Sequence, residues 1–301
     1  MHDCIVIGGG SAGLGAALYA ARFSLDTILI APDMGGTGNI AHKVDNWIGD
    51  PGITGIALMQ KFIKHVKEYK VPMINETVTK IEKTSEGFKV TTNKSEYEGK
   101  TVIYSTGMKH RKLGIPGEDE LQGKGVSYCY TCDAHFFKDK VVGVVGGGDS
   151  AGLGTLLLST IAKKVYVLYR GDRIRAEPIT TEEVYKLENE NVKVMHNVNV
   201  TEVLGEKTVT GVKLDNGEEL ALGGLFIEIG ADPINELVKE LNVEMDERGF
   251  IKVDKTMTTN VDGFYAAGDI TNNSTLKQFI TSASEGSIAA QTIYMYLRGK
   301  K

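Results

Sequence analysis

Two of the three cysteines in this 301-residue chain lie close together, at Cys129 and Cys132, and an aspartate, Asp133, follows the second directly. A C-x-x-C spacing brings two sulfurs within reach of each other, so that they can form a reactive disulfide. Thiol–disulfide chemistry also needs a group that takes up and releases a proton. Asp133 is placed to do this if its pKa is suitably raised. The pattern therefore predicts a redox-active dithiol–disulfide couple.

Two other uses of these cysteines fit the sequence less well. A zinc site could take Cys129, Cys132 and His135, but a structural site needs a fourth ligand and the chain has no second C-x-x-C. Covalent haem attachment needs a histidine directly after the second cysteine, where this chain has Asp133. The third cysteine, Cys4, falls in an apolar run and is predicted to be a small core residue. We therefore predict no metal site.

A glycine-rich turn lies on each side of the cysteine pair, and each turn follows an apolar run. The first turn, with the pattern G-x-G-x-x-G, contains Gly8, Gly10, Ser11, Ala12 and Gly13. The second contains Gly146, Gly148, Asp149, Ser150 and Ala151. Between a buried parallel strand and a helix, such a turn lets the backbone approach a pyrophosphate. The sequence thus predicts an α/β protein with two Rossmann-like dinucleotide-binding domains.

The rest of the chain supplies the elements of these two folds. The predicted helices are 12–22, 56–69, 153–162 and 284–297. The predicted strands include 27–30, 78–81, 88–92, 101–104, 140–145, 165–168, 225–229, 250–253 and 263–266. Residues 108–125 are polar and contain glycine and proline, which predicts a linker.

Composition and charge narrow the class of protein. The hydrophobic share of 42% and the charged share of 24% are those of a folded globular chain. The net charge of -5 and the lack of a long basic run argue against nucleic acid as a partner. No signal peptide is evident, and no apolar run reaches the roughly 18 residues of a membrane span. We therefore expect a cytoplasmic protein with no membrane partner.

The residues that follow the second strand of each fold bear on its ligand, because this position contacts the adenosine ribose. In the first fold the acidic candidate is Asp33, which comes slightly after the strand. In the second fold Arg170 and Arg175 follow the strand. Arginine at this place favours the 2′-phosphate of NADP over the free ribose of NAD.

Taken in order, these motifs resemble the low-molecular-weight thioredoxin reductases over essentially the whole chain. The matching stretches are 8–13, 45–49, 105–107, 129–133, 146–151, 230–235, 267–269 and 277–283. The resemblance implies a homodimer that reduces thioredoxin or a thioredoxin-like protein, with FAD as cofactor and NADPH as donor. It also implies that the second Rossmann-like domain is inserted into the first: an FAD-binding domain at 1–111 and 245–301 surrounds an NAD(P)-binding-type domain at 112–244 that carries the cysteines.

The same resemblance implies roles for single residues. Cys132 would lie against the flavin, Cys129 would attack the partner's disulfide, and Asp133 would move the proton. The further residues implied to hold FAD are Gly36, Thr37, Asn39, Asn46, Val78, Thr106, Gly107, Asp269, Lys277 and Gln278. The second glycine turn, with Arg170 and Arg175, would hold the nicotinamide nucleotide.

Two departures from the family's pattern fall on the nicotinamide nucleotide site. Where the family usually has a pair of glutamates after the second turn, this chain has Leu153 and Gly154. Its arginine cluster has Gly171 in place of one arginine. We therefore expect weak, slow use of NADPH. Three alternatives stay open: reduction by ferredoxin or a deazaflavin, a peroxiredoxin-like or glutaredoxin-like partner, and a slow FAD-containing redox sensor.

Overall fold

The computed structural model describes residues 1–41, 44 and 46–299 of the chain. These residues form two compact units, one made of residues up to Lys109 together with those from Asp232 onward, the other of His110–Ala231. The resemblance implied that the chain returns to the first unit at 244/245, whereas the two compact units divide at 231/232. Val238 and Val243 pack in the core of the first unit, with residues of its central sheet such as Ile5, so the chain re-enters that unit earlier.

The helices are α1 (Ser11–Arg22), α2 (Gly55–Glu68), α3 (Tyr130–Asp133), α4 (Asp149–Ser159), α5 (Pro178–Lys186) and α6 (Phe279–Gly299). Short 3-10 helices cover Gly36–Ile40, Ala134–Phe137, Leu187–Asn189 and Glu236–Leu241.

The strands up to the cysteine pair are β1 (His2–Ile7), β2 (Thr27–Ala31), β3 (Met73–Asn75), β4 (Val78–Lys83), β5 (Phe88–Thr92), β6 (Glu96–Tyr104), β7 (Met108–His110) and β8 (Val126–Ser127). The strands after it are β9 (Val141–Val145), β10 (Lys164–Tyr169), β11 (Val192–His196), β12 (Val200–Leu204), β13 (Gly211–Leu214), β14 (Glu219–Ala221), β15 (Gly224–Ile227), β16 (Ala231–Pro233) and β17 (Phe264–Ala266). β7 and β16, where the chain crosses between the units, pair with each other.

The first unit is built on a seven-stranded sheet in the order β3-β2-β1-β6-β5-β4, with β17 also paired to β6. β1 is parallel to both β2 and β6, which places the carboxyl ends of these strands at one edge. Alternate residues of β1 face opposite sides of this sheet. Cys4 and Val6 pack with α1, α2 and α6, and Ile5 and Ile7 pack with β4, β5 and the 3-10 helix at Glu236–Leu241.

The second unit contains a parallel five-stranded sheet in the order β11-β10-β9-β15-β8 and a separate antiparallel sheet of β12, β13 and β14. One face of the parallel sheet packs on α4 and α5, with Val144 and Val167 in that core. The other face packs on the antiparallel sheet, with Val145 and Leu225 in that core. Both units therefore have the strand–turn–helix arrangement of Rossmann-like folds, as the sequence predicted.

Other sequence expectations differ in detail from the structure. Residues 110–125 of the predicted linker 108–125 are part of the second unit, because Leu121 is buried and the buried carboxyl of Glu118 accepts the N–H groups of Leu113 and Gly114. α4 starts directly after Gly148, ahead of the predicted 153, and α6 starts ahead of the predicted 284. Residues 250–253 form only isolated bridges, at Ile251.

No helix in the described part of the chain is long and apolar enough to cross a membrane. Among the same residues there is no group of three or more His, Cys, Asp and Glu side chains that could hold a metal ion.

Candidate active site

Cys129 and Cys132 form a disulfide, with their Cα atoms 5.3 Å apart. The pair is shaped by one short helical turn, because the N–H groups of Cys132 and Asp133 donate to the carbonyl oxygen of Cys129 at 3.2 and 3.1 Å. Both cysteines are only partly buried, which leaves the disulfide accessible to a reaction partner. Asp133 ends α3 directly beside Cys132 and is also partly buried. Its proton-transfer role stays a prediction.

The segment is fixed at both ends by the core of the second unit. Ahead of the pair, the N–H of Cys129 donates to the hydroxyl of Ser127, the last residue of β8, at 3.1 Å. Behind it, Ala134 and Phe137 are buried. The ring of Phe137 packs edge-on against Phe226 of β15, with ring centroids 4.9 Å apart. The redox turn is therefore attached to a rigid sheet, which keeps the two sulfurs in position.

Tyr130, between the two cysteines, makes two contacts that sequence reasoning missed. Its N–H donates to the carboxyl of Glu228 at 3.2 Å. Its ring lies over Gly154 of α4, where a Cβ would be only 3.1 Å from the nearest ring atoms. Glycine at position 154 therefore serves the cysteine segment. One signal for Glu228 was present, since a single acidic residue interrupts the apolar run 225–229.

Glu228 has an unusual acid–base character. Burial raises the pKa of its carboxyl to about 8, and the hydrogen bond from Tyr130 opposes this only in part. Burial also raises the pKa of the Tyr130 phenol, with a smaller contribution from the negative charge of Glu228. The carboxyl therefore gains and loses its proton near neutral pH, next to the redox pair.

The first glycine turn is shaped to receive a pyrophosphate. Gly8 has a left-handed φ of 115°. A side chain at Gly13 would collide with the carbonyl oxygen of Gly8, and would come within 2.9 Å of the Ser105 hydroxyl. At Gly10, by contrast, a Cβ would meet no atom of the described residues within 4 Å. No side chain caps the N-terminus of α1 in this part of the chain. The open backbone and the uncapped N–H groups fit the phosphates of FAD.

Several of the residues predicted to hold FAD lie beside this turn. Gly36 packs on Gly10, since a Cβ at Gly36 would be 3.4 Å from the Cα of Gly10. Thr37 and Asn39 share the same 3-10 helix. The amide of Asn39 donates to the carboxylate of Asp33 at 3.1 Å. The structure thus brings Asp33 and Asn39 together next to the glycine turn.

A second group of predicted FAD residues comes from the C-terminal part of the chain. Gly268, with a left-handed φ of 85°, packs against Ala12 in the first turn of α1. Asp269 follows it, accepts from the hydroxyl of Ser282 at 2.8 Å, and has its pKa raised by burial. Burial lowers the pKa of the Lys277 ammonium, which donates to the carbonyl of Thr271 at 2.6 Å. Gly268 thus brings this part of the chain to the N-terminal end of α1.

The remaining predicted FAD residues are placed as follows. The amide of Asn46 donates to the side-chain oxygen of Gln278 at 2.9 Å, which brings these two together. Thr106 and Gly107 both contact Ile234, through the Thr106 hydroxyl at 2.9 Å and the Gly107 carbonyl at 3.1 Å. Val78 is buried at the start of β4. Asp45, part of the matching stretch 45–49, lies outside the described residues. The binding roles themselves stay predictions.

The second glycine turn has the same backbone shape as the first. Gly146 has a φ of 143°, and a Cβ at Gly148 would meet no atom of the described residues within 4 Å. Ser150 and Ala151 continue into α4. The carboxylate of Asp149, however, accepts the N–H of Glu177 at 2.7 Å and so has a partner within the chain.

A large aromatic side chain packs against the second turn. The buried ring of Tyr169 lies against Gly147 and Gly171, with its ζ carbon 2.7 and 2.9 Å from the respective Cβ positions. Arg170 and Arg175 are exposed, and the N–H of Arg175 donates to the carbonyl of Gly147 at 2.6 Å. The backbone of Arg175 thus lies beside the turn, and the phosphate-binding role of both arginines stays a prediction.

Two dinucleotide-type units, one carrying an accessible disulfide on a short helical turn, define a nucleotide-dependent disulfide oxidoreductase. A family model described as pyridine nucleotide-disulphide oxidoreductase matches residues 2–286. The thioredoxin reductase of Peptoclostridium litorale is 38% identical over 310 aligned positions, covering 99% of this chain and 97% of that protein.

Solved structures agree with this match. The crystal structure of thioredoxin reductase from Streptococcus pyogenes matches with a TM-score of 0.91 and 38% identity, over 99% of both chains. A ferredoxin-flavin thioredoxin reductase from Clostridium acetobutylicum matches with a TM-score of 0.54 and 32% identity, over 99% of this chain and 98% of that one. The chain belongs to the pyridine nucleotide-disulphide oxidoreductases, and within them to the low-molecular-weight thioredoxin reductases. The predicted enzyme class and the FAD cofactor are confirmed by this membership.

Proposed function

We propose that the protein reduces the disulfide of a thioredoxin or thioredoxin-like protein, with electrons that pass through FAD to the Cys129–Cys132 pair. The observation that carries this proposal is the accessible disulfide on the short turn of α3. FAD, when bound, supplies two-electron chemistry that the side chains of the chain lack. The first glycine turn, the N-terminus of α1, Asp269 and Lys277 would hold it.

The exchange with the partner follows from ordinary thiol chemistry. The Cys129 thiolate attacks one sulfur of the partner's disulfide, which forms a mixed disulfide and releases the partner's other sulfur as a thiolate. The Cys132 thiolate then attacks the Cys129 sulfur. This restores the Cys129–Cys132 disulfide and frees the partner as a dithiol. Asp133 would take the proton from Cys132 in this step and return one when the pair is reduced again.

For the electron donor we propose NADPH, used weakly. Arg170 follows β10 directly, the backbone of Arg175 contacts the second turn, and both residues are exposed, which supports recognition of a 2′-phosphate. Leu153 is exposed and apolar, and Gly154 is covered by the ring of Tyr130, so neither can hydrogen-bond a carboxamide. Poor orientation of a reacting group can lower a rate about a hundredfold.

A second candidate donor is reduced ferredoxin. It is favoured by the packing of the Tyr169 ring against the second turn, and by the similarity to a protein described as a ferredoxin-flavin thioredoxin reductase.

From family membership we also propose that the protein forms a homodimer and that it lies in the cytoplasm. Sedimentation velocity would test the homodimer.

The decisive experiment is anaerobic stopped-flow reduction of the bound flavin by NADPH, NADH, reduced ferredoxin and a reduced deazaflavin in parallel, followed by turnover with a thioredoxin. We expect slow reduction by NADPH and slower reduction by NADH. Fast reduction by ferredoxin alone would identify the second candidate donor. A flavin that is reduced without any thioredoxin turnover would leave the redox-sensor alternative and refute the proposed function.

A further inference from the structure

Glu228 connects the central sheet of the second unit to the cysteine segment. It follows β15 directly, and its own N–H donates to the carbonyl of Val145, the last residue of β9, at 2.8 Å. Its carboxyl accepts the N–H of Tyr130 at 3.2 Å. That N–H belongs to the peptide bond formed by the carbonyl of Cys129. The carboxyl is therefore held on a rigid strand end, one peptide unit from the redox cysteine.

We propose that Glu228 is a positioning residue for the Cys129–Cys132 pair, and that the charge on its carboxyl sets how the midpoint potential of this pair changes with pH. The proposal rests on the proposed function only for its consequence in turnover. The contact itself lies within the second unit, and the potential of the pair can be measured without a nicotinamide nucleotide or a thioredoxin.

The charge matters because reduction creates an acidic group next to the carboxyl. Two electrons break the S–S bond, and the two sulfurs take up two protons, or one proton when one sulfur remains a thiolate. An ordinary cysteine thiol ionises at a pH of about 8.5, so thiolate forms over the same range in which Glu228 loses its proton. A neutral carboxyl leaves the thiolate unaffected, whereas a carboxylate repels it and disfavours the reduced form.

The other titratable or charged groups near this carboxyl are few. The redox segment contributes Tyr130 and Asp133 besides the cysteines, and the glycine turn after β9 contributes none before Asp149, whose carboxylate accepts from Glu177. The guanidinium of Arg111 lies beside Gly230, with one nitrogen 3.5 Å from its Cβ position. Among the described residues, the carboxyl of Glu228 is the acidic group that accepts the N–H of Tyr130.

The test is the midpoint potential of the pair from pH 6 to pH 10 in Glu228→Gln, in the unaltered holoprotein and in Glu188→Gln. Defined mixtures of reduced and oxidised dithiothreitol supply the electrons, and thiol alkylation with mass spectrometry gives the reduced fraction. Glutamine can still accept the Tyr130 N–H through its side-chain oxygen but carries no charge. Glu188 is the matched control, because its carboxylate also accepts a backbone N–H, that of Val194 at 3.0 Å, on a different segment.

At pH 6 we expect the three potentials to coincide. Above pH 9 the unaltered protein and Glu188→Gln should have the lower potential, by about tenfold in the exchange equilibrium or about 30 mV for a two-electron couple. Potentials of Glu228→Gln that match the unaltered protein at every pH would overturn the proposal. So would a constant difference from pH 6 to pH 10, because charge would then not be the cause.

A second variant tests the positioning part. Glu228→Ala removes the acceptor, so the amide hydrogen of Tyr130 should exchange with deuterium several times faster, while Glu228→Gln should keep the exchange rate of the unaltered protein. Equal exchange in all three proteins would refute the positioning role. Neither measurement uses a nucleotide or a thioredoxin. A failure of the proposed reductase activity would therefore show up separately, as absent turnover with intact pH-dependent potentials.

Discussion

The two glycine turns of this protein have nearly the same backbone and different surroundings. In each, the first glycine is left-handed, at φ 115° for Gly8 and 143° for Gly146. In each, the third glycine has free space for a Cβ among the described residues, at Gly10 and Gly148. The strand that follows ends in the small Ala31 in the first unit and in the large Tyr169 in the second. The ring of Tyr169 covers Gly147, with its nearest carbon 2.4 Å from the Cβ position, whereas Gly9 in the first unit is covered by backbone, with the carbonyl oxygen of Asp33 2.5 Å from its Cβ position.

A phosphate-binding turn can therefore keep its backbone shape while the residues around it make contacts within the protein. Around the second turn, Asp149 accepts a backbone N–H from Glu177, and Gly154 makes room for the ring of Tyr130. Both groups serve the second unit's own packing, and Gly154 also serves the cysteine segment, because it makes room for the ring of Tyr130. The second unit is therefore organised more around its disulfide than around a nucleotide.

The largest expected effect is the loss of thioredoxin reduction, with the flavin unaffected, when either redox cysteine of the second unit is replaced. Cys129→Ser and Cys132→Ser should each abolish thioredoxin reduction, because neither variant can form the disulfide that accepts electrons. FAD content and reduction of the flavin by dithionite should be unchanged, since the first glycine turn is untouched. Thioredoxin turnover under anaerobic conditions, with flavin absorbance, measures both properties.

Cys4→Ser is the control for these variants. Cys4 is fully buried in the first unit, and burial raises the pKa of its thiol to about 12, so it should be inert to alkylation at pH 8. Activity should persist in this variant. Retained thioredoxin reduction in either redox variant, or its loss in Cys4→Ser, would contradict the assignment of the cysteines.

A matched pair of substitutions tests the two turns directly. Gly10→Ala and Gly148→Ala each add one methyl group into open space, at ordinary φ values of -77° and -93°, so both should fold normally. The methyl group keeps a pyrophosphate from approaching the backbone. Gly10→Ala should therefore lose most of its FAD, while Gly148→Ala should keep FAD and use NADPH less well, each by about tenfold or more in affinity.

Flavin content after gel filtration and NADPH titration of flavin reduction give the two readings. Thermal unfolding of the FAD-free proteins serves as the control for folding. Equal flavin loss in both variants would mean that the two turns do not differ in the nucleotide that they bind.

Some features of the fold and of the site could be predicted from the sequence alone, and others could not. The glycine turns, the strands that precede them, the cysteine pair and the buried Cys4 follow from local patterns of residue type and spacing. The contact of Glu228 and the packing of Tyr130 over Gly154 do not, because they depend on which strand lies beside which. β15 is parallel to β9 although many residues separate them in the chain, and this pairing brings Glu228 to the cysteine segment. No local pattern indicates such a neighbour.

A smaller effect is expected from introducing, after the second turn, a glutamate that can contact the nicotinamide nucleotide. Gly154→Glu alone should help little, because its Cβ would be 3.1 Å from the ring of Tyr130 and would push the cysteine segment aside. Combined with Tyr130→Ala, the new carboxylate gains room to hydrogen-bond a carboxamide. A well-formed charged hydrogen bond contributes roughly 1.5–3 kcal/mol, so kcat/KM for NADPH should rise about tenfold.

Tyr130→Ala by itself is the control, since it removes the ring without adding a contact. Steady-state turnover of thioredoxin with NADPH measures all three variants. If Gly154→Glu alone equals the double variant, the ring of Tyr130 does not limit this site, and the difference between the two turns lies elsewhere.

The smallest expected effect concerns stability, and it sharpens the view that the second unit is organised around its disulfide. The pKa of Glu228 is about 8 in the fold, against 4.5 for an exposed glutamate. Between these values the folded carboxyl holds a proton that the unfolded chain has lost, so its contribution to stability is complete at low pH and declines as pH rises through 8. Glu228→Gln has no such decline. Relative to this variant, the unaltered protein should lose about 2–4 °C in Tm between pH 5 and pH 9, corresponding to about 1 kcal/mol once solvent access to the half-buried carboxyl is allowed for. Calorimetry at pH 5, 7 and 9, with Glu188→Gln as the control, measures the difference. A gap in Tm that stays constant over this range would mean that the carboxyl ionises at its ordinary pH and carries no charge penalty beside the cysteines.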